Sequence, residues 1–322
     1  MVNITLKANL KTPFLRVVQK ANIGKKYTYA LQIYKNDTYV SRTQNAVYNG
    51  QTITLGTPGL KFPGRSTHDI EYGLNKAAAG GHTQTWEYAG TTGHGNWFIG
   101  TKPNDGKWAT QIARVSYPGS HTKNTEMTRI SNLVEMANKD NWHGQHLLRA
   151  EAAVSPNYEY LLISTVWENH SGHFGLYSLP KVNAKLDKIG SGNIKISDLA
   201  ECKAQDNYIV DIDNIDSVSL QGFDIDNDKN IYISSQYSPD IDGKSKPRSI
   251  YKVFWDRPEV YNWQQFDLSN YRILETNFEG KPTEFEGIQV IGKDHLYLTV
   301  AYHQVVNNTV STVGNQIFEI QL

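Results

Sequence analysis

A short strand-forming quartet recurs along the whole chain and limits the architectures open to it more than any catalytic motif does. The copies read Thr38-Tyr39-Val40-Ser41, Trp97-Phe98-Ile99-Gly100, Leu161-Leu162-Ile163-Ser164, Ile231-Tyr232-Ile233-Ser234 and Leu296-Tyr297-Leu298-Thr299. Their second residues, Tyr39, Phe98, Leu162, Tyr232 and Tyr297, lie 59, 64, 70 and 65 residues apart by subtraction. Eleven residues before the last four of these markers stand Glu87, Glu151, Gln221 and Glu286. Three of them precede a small residue and then an apolar one, in Glu151-Ala152-Ala153, Gln221-Gly222-Phe223 and Glu286-Gly287-Ile288. A period of this length, with several short strands in each copy, is the mark of radial repetition.

The repeat predicts an all-β fold, a single five-bladed β-propeller domain over residues 1–322, with blades near 14–60, 82–120, 146–182, 218–256 and 284–322. In the fourth unit, Leu220 opens an alternating strand, Asn227-Asp228-Lys229-Asn230 supplies the turn, and Ile231 begins the return strand. Each blade shows three clear strands and a fainter fourth. A lone sheet leaves apolar surface open, so neighbouring blades must cover it and the ring must close. An early strand such as 14–18 is expected to pair with the last blade. Two β-sandwiches, the alternative, would show strands every 8 to 12 residues or so without the longer period. One short helical insert is expected over 126–139, where Ile130, Leu133, Val134 and Met136 recur at helical spacing.

Lys plus Arg and Asp plus Glu both number 32, so the basic footprint of a nucleic-acid binder is missing and no nucleic-acid partner is expected. The ten histidines would turn the surface cationic below about pH 6, which would favour an anionic surface in acid. Cys202 stands alone, which excludes an intrachain disulfide and a cysteine-rich zinc cluster. No stretch reads as a transmembrane segment or as the apolar core of a secretory signal peptide.

The most specific chemical pattern is the recurring set Glu87, Glu151, Gln221 and Glu286. Innermost propeller strands line the central channel, so equivalent side chains there would face one another. Carboxylates that converge repel unless protonated, hydrated or bridged by a cation, and oxygen ligands of this type suit Ca2+ at the axis. The same side chains can instead hydrogen-bond the backbone of an adjacent blade. The run from Asp224 to Asn230 resembles a calcium loop but lacks glycine at its sixth position and glutamate at its twelfth, so turn chemistry explains it. His143 and His146, and His170 and His173, sit three apart without a zinc-ligand spacing. Trp142 and Trp167, beside Asn and His, are the aromatic candidates for stacking on sugars, with His143, His146 and His170 as neighbouring polar groups. No nucleophile elbow, metalloprotease motif or phosphate loop is present. Catalytic residues are therefore unassigned, and a glycosidase pair is definable only in space.

The stretch from Asn141 to Leu147, Asn141-Trp142-His143-Gly144-Gln145-His146-Leu147, and the blade starts Gln221-Gly222-Phe223-Asp224 and Glu286-Gly287-Ile288 resemble the helveticin J group. These are large, heat-labile class III bacteriocins of lactobacilli, and the resemblance spans the chain. It implies a secreted or cell-surface antibacterial protein that acts on related Gram-positive bacteria through a surface glycan or receptor. It transfers no catalytic residue. The alternatives are a surface lectin or adhesin that binds carbohydrate without killing, and a glycoside hydrolase or calcium-dependent hydrolase using the axial glutamates.

Overall fold

The computed structural model describes residues 2–136, 146–168, 171–206, 208–211, 219–244 and 246–322. It is a five-bladed β-propeller. Blade one holds Val18–Ile23, Tyr27–Tyr34, Asp37–Gln44, Leu60–Phe62 and the short Gly119–Ser120. Blade two holds Trp86–Tyr88, Trp97–Pro103, Ala109–Val115, Thr128–Ser131 and Asn193–Lys195. Blade three runs Leu147–Val154, Tyr160–Trp167, Ser171–Ser178 and Tyr208–Asp211, and blade four Gly222–Ile225, Ile231–Ser235, Ser249–Val253 and Gln264–Asp267. Blade five holds Thr283–Gly292, His295–Val306 and Thr309–Gln321, extended by Asn3–Lys11 and Thr52–Thr54.

Local chemistry explains the strands and their turns. In His295–Val306, Leu296, Leu298 and Val300 are fully buried at alternate positions, as a strand with one face on a core requires. Lys35 and Asn36 have φ of 50° and 71°, and Asn307 and Asn308 have 49° and 58°. Both pairs are two-residue hairpin turns with positive φ at each centre, the geometry that matches strand twist.

Closure departs from the expected strand. Asn3–Lys11, not 14–18, pairs antiparallel with Thr309–Gln321, and Asn9 to Lys11 then pair parallel with Thr52–Thr54. Ile4, Ala8 and Leu10 are buried along it, whereas Val18 opens the innermost strand of blade one. The quartet at Tyr39 is consequently one strand out of step. It lies on the third strand of its blade, while the other four copies lie on second strands.

The helical insert is also corrected. Thr128–Ser131 is a strand paired with Ala109–Val115, and Leu133–Met136 is a single 3-10 turn; 137–139 lies outside the described residues. Ile130 and Leu133 are buried in a core shared by blades two and three, so sheet packing overrides the helical spacing. An 11-residue helix does occur at Leu179–Ile189, with proline in its first turn and Leu179, Val182 and Leu186 buried.

By compactness the chain divides into two units, Met1–Tyr34 with Val40–Pro58 and Asp216–Leu322, and Lys35–Tyr39 with Gly59–Ile215. Within the second, Phe98 and Ile112 of blade two pack with Ala152, Leu161 and Ile163 of blade three. Within the first, Tyr232 and Ile250 of blade four pack with Phe285, Leu296 and Leu298 of blade five. A further cluster joins Ala8, Ile53 and Ile317 of blade five to Val18 and Ala21 of blade one. The small residues after the repeated Gln and Glu have a packing cause here. A Cβ on Gly222 would come within 2.6 Å of Gly287 Cα, and one on Gly287 within 2.8 Å of Gln19 O and Lys20 Cβ. Innermost strands approach too closely at these points for any side chain.

Candidate functional site

Glu87 lies on Trp86–Tyr88, Glu151 on Leu147–Val154, and Glu286 on Thr283–Gly292, each the first strand of its blade; Gln221 immediately precedes Gly222–Ile225. The three glutamates are 5%, 2% and 1% exposed. Gln221 is half-buried and donates from Nε2 to Gln236 O at 2.9 Å.

Glu151 shows what such a buried carboxylate does. Its Oε2 accepts from Thr83 Oγ1 at 2.7 Å and Thr85 Oγ1 at 2.5 Å. The Gln84 backbone N–H lies 3.1 Å from Oε1 and 3.0 Å from Oε2, and Arg149 Nε donates to Oε1 at 2.9 Å. Thr85 Oγ1 in turn accepts from Ala152 N at 2.8 Å. Both oxygens are saturated by donors, one of them a guanidinium, and this donor set suits an ionised acceptor rather than a cation ligand or a proton shuttle. The group holds the first strand of blade three to the segment that opens blade two.

Asp224 plays the corresponding part between blades four and five. Its Oδ2 accepts from Val290 N at 2.8 Å, its Oδ1 from Ile225 N at 2.8 Å, and the Lys20 ammonium stands 4.0 Å away. Desolvation nevertheless pushes its carboxyl up to about 6, against the opposing pull of Lys20 and the two N–H groups. Gln289 uses both ends of its amide on Ile23, accepting from N at 2.7 Å and donating to O at 3.1 Å. Thr299 accepts from Ala21 N at 3.1 Å. First strands of blades are sheet edges, and polar side chains from neighbouring blades satisfy their open backbone groups.

The calcium-like run is a turn. Asp226 Oδ1 accepts from Asp228 N and Asn230 N at 2.9 Å, and Oδ2 accepts from Asn230 Nδ2 at 2.8 Å and Tyr232 Oη at 2.9 Å. Among the described residues no three His, Cys, Asp or Glu gather as a metal-binding group.

Of the loop candidates, Trp142, His143 and His170 lie outside the described residues, and His146 is exposed. Trp167 is 1% exposed, stacks on His173 with ring centroids 4.5 Å apart, and donates from Nε1 to Thr165 Oγ1 at 3.3 Å. Its ring faces the core, not a ligand. Burial lowers the His173 imidazole to about 4. His82 lies flat on Trp108 at 3.8 Å, with the Arg149 guanidinium 4.2 Å from the same indole; desolvation, then Arg149, lowers its imidazole to about 3.

Sequence reasoning missed a cleft of about 770 Å3 in the first unit, lined by Asn9, Gln51, Thr52, Asn277, Phe278 and Asn315 among others. Only the closing strand brings these distant residues together. The missing signal was the apolar alternation of Ile4, Leu6, Ala8 and Leu10, which marks a strand at the amino terminus.

The family described as bacteriocin helveticin-J matches residues 1–322. Bacteriocin helveticin-J of Lactobacillus helveticus is 39% identical over 345 residues, covering 99% of this chain and 96% of its own length. Among solved structures, an exo-β-1,3-galactanase from Phanerochaete chrysosporium with β-1,3-galactotriose aligns over 98% of this chain and 64% of its own, with 6% identity and a TM-score of 0.49. A thermostable family-43 glycoside hydrolase aligns over 99% of this chain and 89% of its own, with 11% identity and a TM-score of 0.45. Likeness of that degree bears on neither activity nor ligand. The whole-length match and the identity to a bacteriocin are decisive, and the chain belongs to the helveticin J family of bacteriocins.

Proposed function

We propose that this protein is released from its producer and inhibits related Gram-positive bacteria after recognising a component of their surface. The observation that carries the reading is the 39% identity to a bacteriocin over 99% of the chain. Supporting it, no helix among the described residues is long and apolar enough to cross a membrane, and the formal charge is zero. Neither helix insertion nor general attraction to anionic lipid has a structural basis in those residues, which leaves specific recognition as the first step. A hydrolase acting through Glu151 is disfavoured, because an acid or base must exchange a proton with substrate and this carboxylate is walled in by protein donors.

Purified protein spotted on lawns of lactobacilli and other Gram-positive strains tests the reading. Clear zones on a subset of strains, with the protein adsorbed to those cells and not to resistant ones, are expected. No inhibition across a broad panel would remove it.

A further inference from the structure

We infer that the cleft beside the closing strand is an oligosaccharide-binding site that holds a sugar chain without cleaving it. The inference deepens the recognition reading above and rests on it for the biological role, though not for the chemistry. Its volume, about 770 Å3, falls within the range of about 300–1,000 Å3 usual for small-ligand sites.

The walls are fixed by the fold. Asn9 donates from Nδ2 to Gly50 O at 2.7 Å, while its Oδ1 accepts from Gln316 Nε2 at 2.6 Å and Asn277 Nδ2 at 3.2 Å. Asn315 accepts from Val18 N at 2.9 Å and donates to Arg16 O at 3.0 Å. Phe278 stacks on the buried Tyr302 with centroids 4.2 Å apart, and its ring occupies the space that a Cβ on Gly314 would need. Asn277 is held at φ 66°, a left-handed conformation, immediately before that ring. A site with its supporting groups locked in this way loses little entropy on binding.

Against those fixed walls stand polar groups that the fold does not use. Gln51 and Thr52 are exposed and make no side-chain hydrogen bond among the described residues, and Asn277 Oδ1 takes no donor there. Amides and a hydroxyl supply donors and acceptors side by side, which matches neighbouring sugar hydroxyls. The ring of Phe278 and the exposed Leu15 offer apolar surface for the C–H face of a sugar. The lining contains Lys11 but no Asp or Glu. Glycoside hydrolysis by the usual route needs two carboxyl groups flanking the bond, so this cleft binds and does not cut.

The test uses the full chain, a glycan array, and oligosaccharides released by muramidase from walls of several Gram-positive strains. Wild-type protein is expected to bind a subset of these sugars and leave their chain lengths unchanged. Gln51→Ala should weaken binding roughly tenfold, the cost of one lost hydrogen bond with its partner left unpaired. Thr52→Trp, which fills the cleft from an exposed position, should abolish it, with the thermal midpoint of both variants unmoved. Wild-type affinity in both variants would overturn the cleft while leaving recognition elsewhere intact. Inhibition of growth without binding to any sugar would overturn the cleft and point to a protein receptor. Release of shorter sugars would overturn binding without cleavage. Binding that the two variants lose, in a protein that inhibits no strain, would uphold the cleft and sink the antibacterial reading.

Discussion

Two sets of polar residues differ in what the fold leaves them to do. Around Glu151, two threonine hydroxyls, a backbone N–H and a guanidinium meet both carboxylate oxygens. In the cleft, Gln51, Thr52 and Asn277 Oδ1 keep donors and acceptors that no described protein group takes. The first set is chemically the more conspicuous in sequence, since carboxylates recur at one structural position. It is the second set, carrying no charge and no repeat, that retains capacity for a ligand. A recurring polar residue in a propeller therefore argues first for stitching blade edges together.

The largest effect should come from the saturated set. Glu151→Gln places an amide N–H against donors and removes the counter-charge of Arg149, and should cost about 3 kcal/mol or more in stability. Denaturant titration checks this. A variant of unchanged stability with altered activity would break the comparison, because Glu151 would then be functional and not structural.

Acid should come next. His82 and His173 have imidazoles lowered to about 3 and about 4, so below their unfolded value of 6.5 the unfolded chain binds protons that the folded chain does not. Asp224 acts in the opposite sense, since its carboxyl protonates near 6 when folded and near 3.8 when unfolded. Two imidazoles against one carboxyl leave a net loss of about 1.4 kcal/mol per pH unit as pH falls from about 6 to 4. Thermal melts across that window, with His173→Gln giving a shallower fall, would confirm the sign. A midpoint that is flat or rises in acid would refute it.

Gly314→Ala is expected to cost about 1–3 kcal/mol, since the new methyl meets the ring of Phe278 and must displace it. It should also weaken sugar binding, which links wall rigidity to the site. Gln51→Ala marks the small end of the scale: stability within about 0.5 kcal/mol of wild type, with the whole effect in affinity. Calorimetry on the same preparation separates the two.

The sequence made the propeller and most second strands legible because Phe98, Leu162, Tyr232 and Tyr297 stand in one strand-forming pattern on equivalent strands. The first blade was misread by one strand because Tyr39 carries the same quartet on a third strand. Ring closure was seen in kind but not in place, since alternation in Asn3–Lys11 is short and its partner lies at the far end of the chain. The carboxylates were legible as a set, but their partners were not. Thr83 and Thr85 become ligands of Glu151 only when two blades meet. The cleft was illegible for the same reason, for Asn9, Gln51 and Asn277 share no spacing.

A crystal structure of the protein with a bound wall oligosaccharide tests the division between these two sets most directly. Sugar density against Gln51, Asn277 and Phe278, with the Glu151 hydrogen bonds intact, is the expected result. Density that displaces Thr83 or Arg149 from Glu151, with the cleft empty, would contradict it.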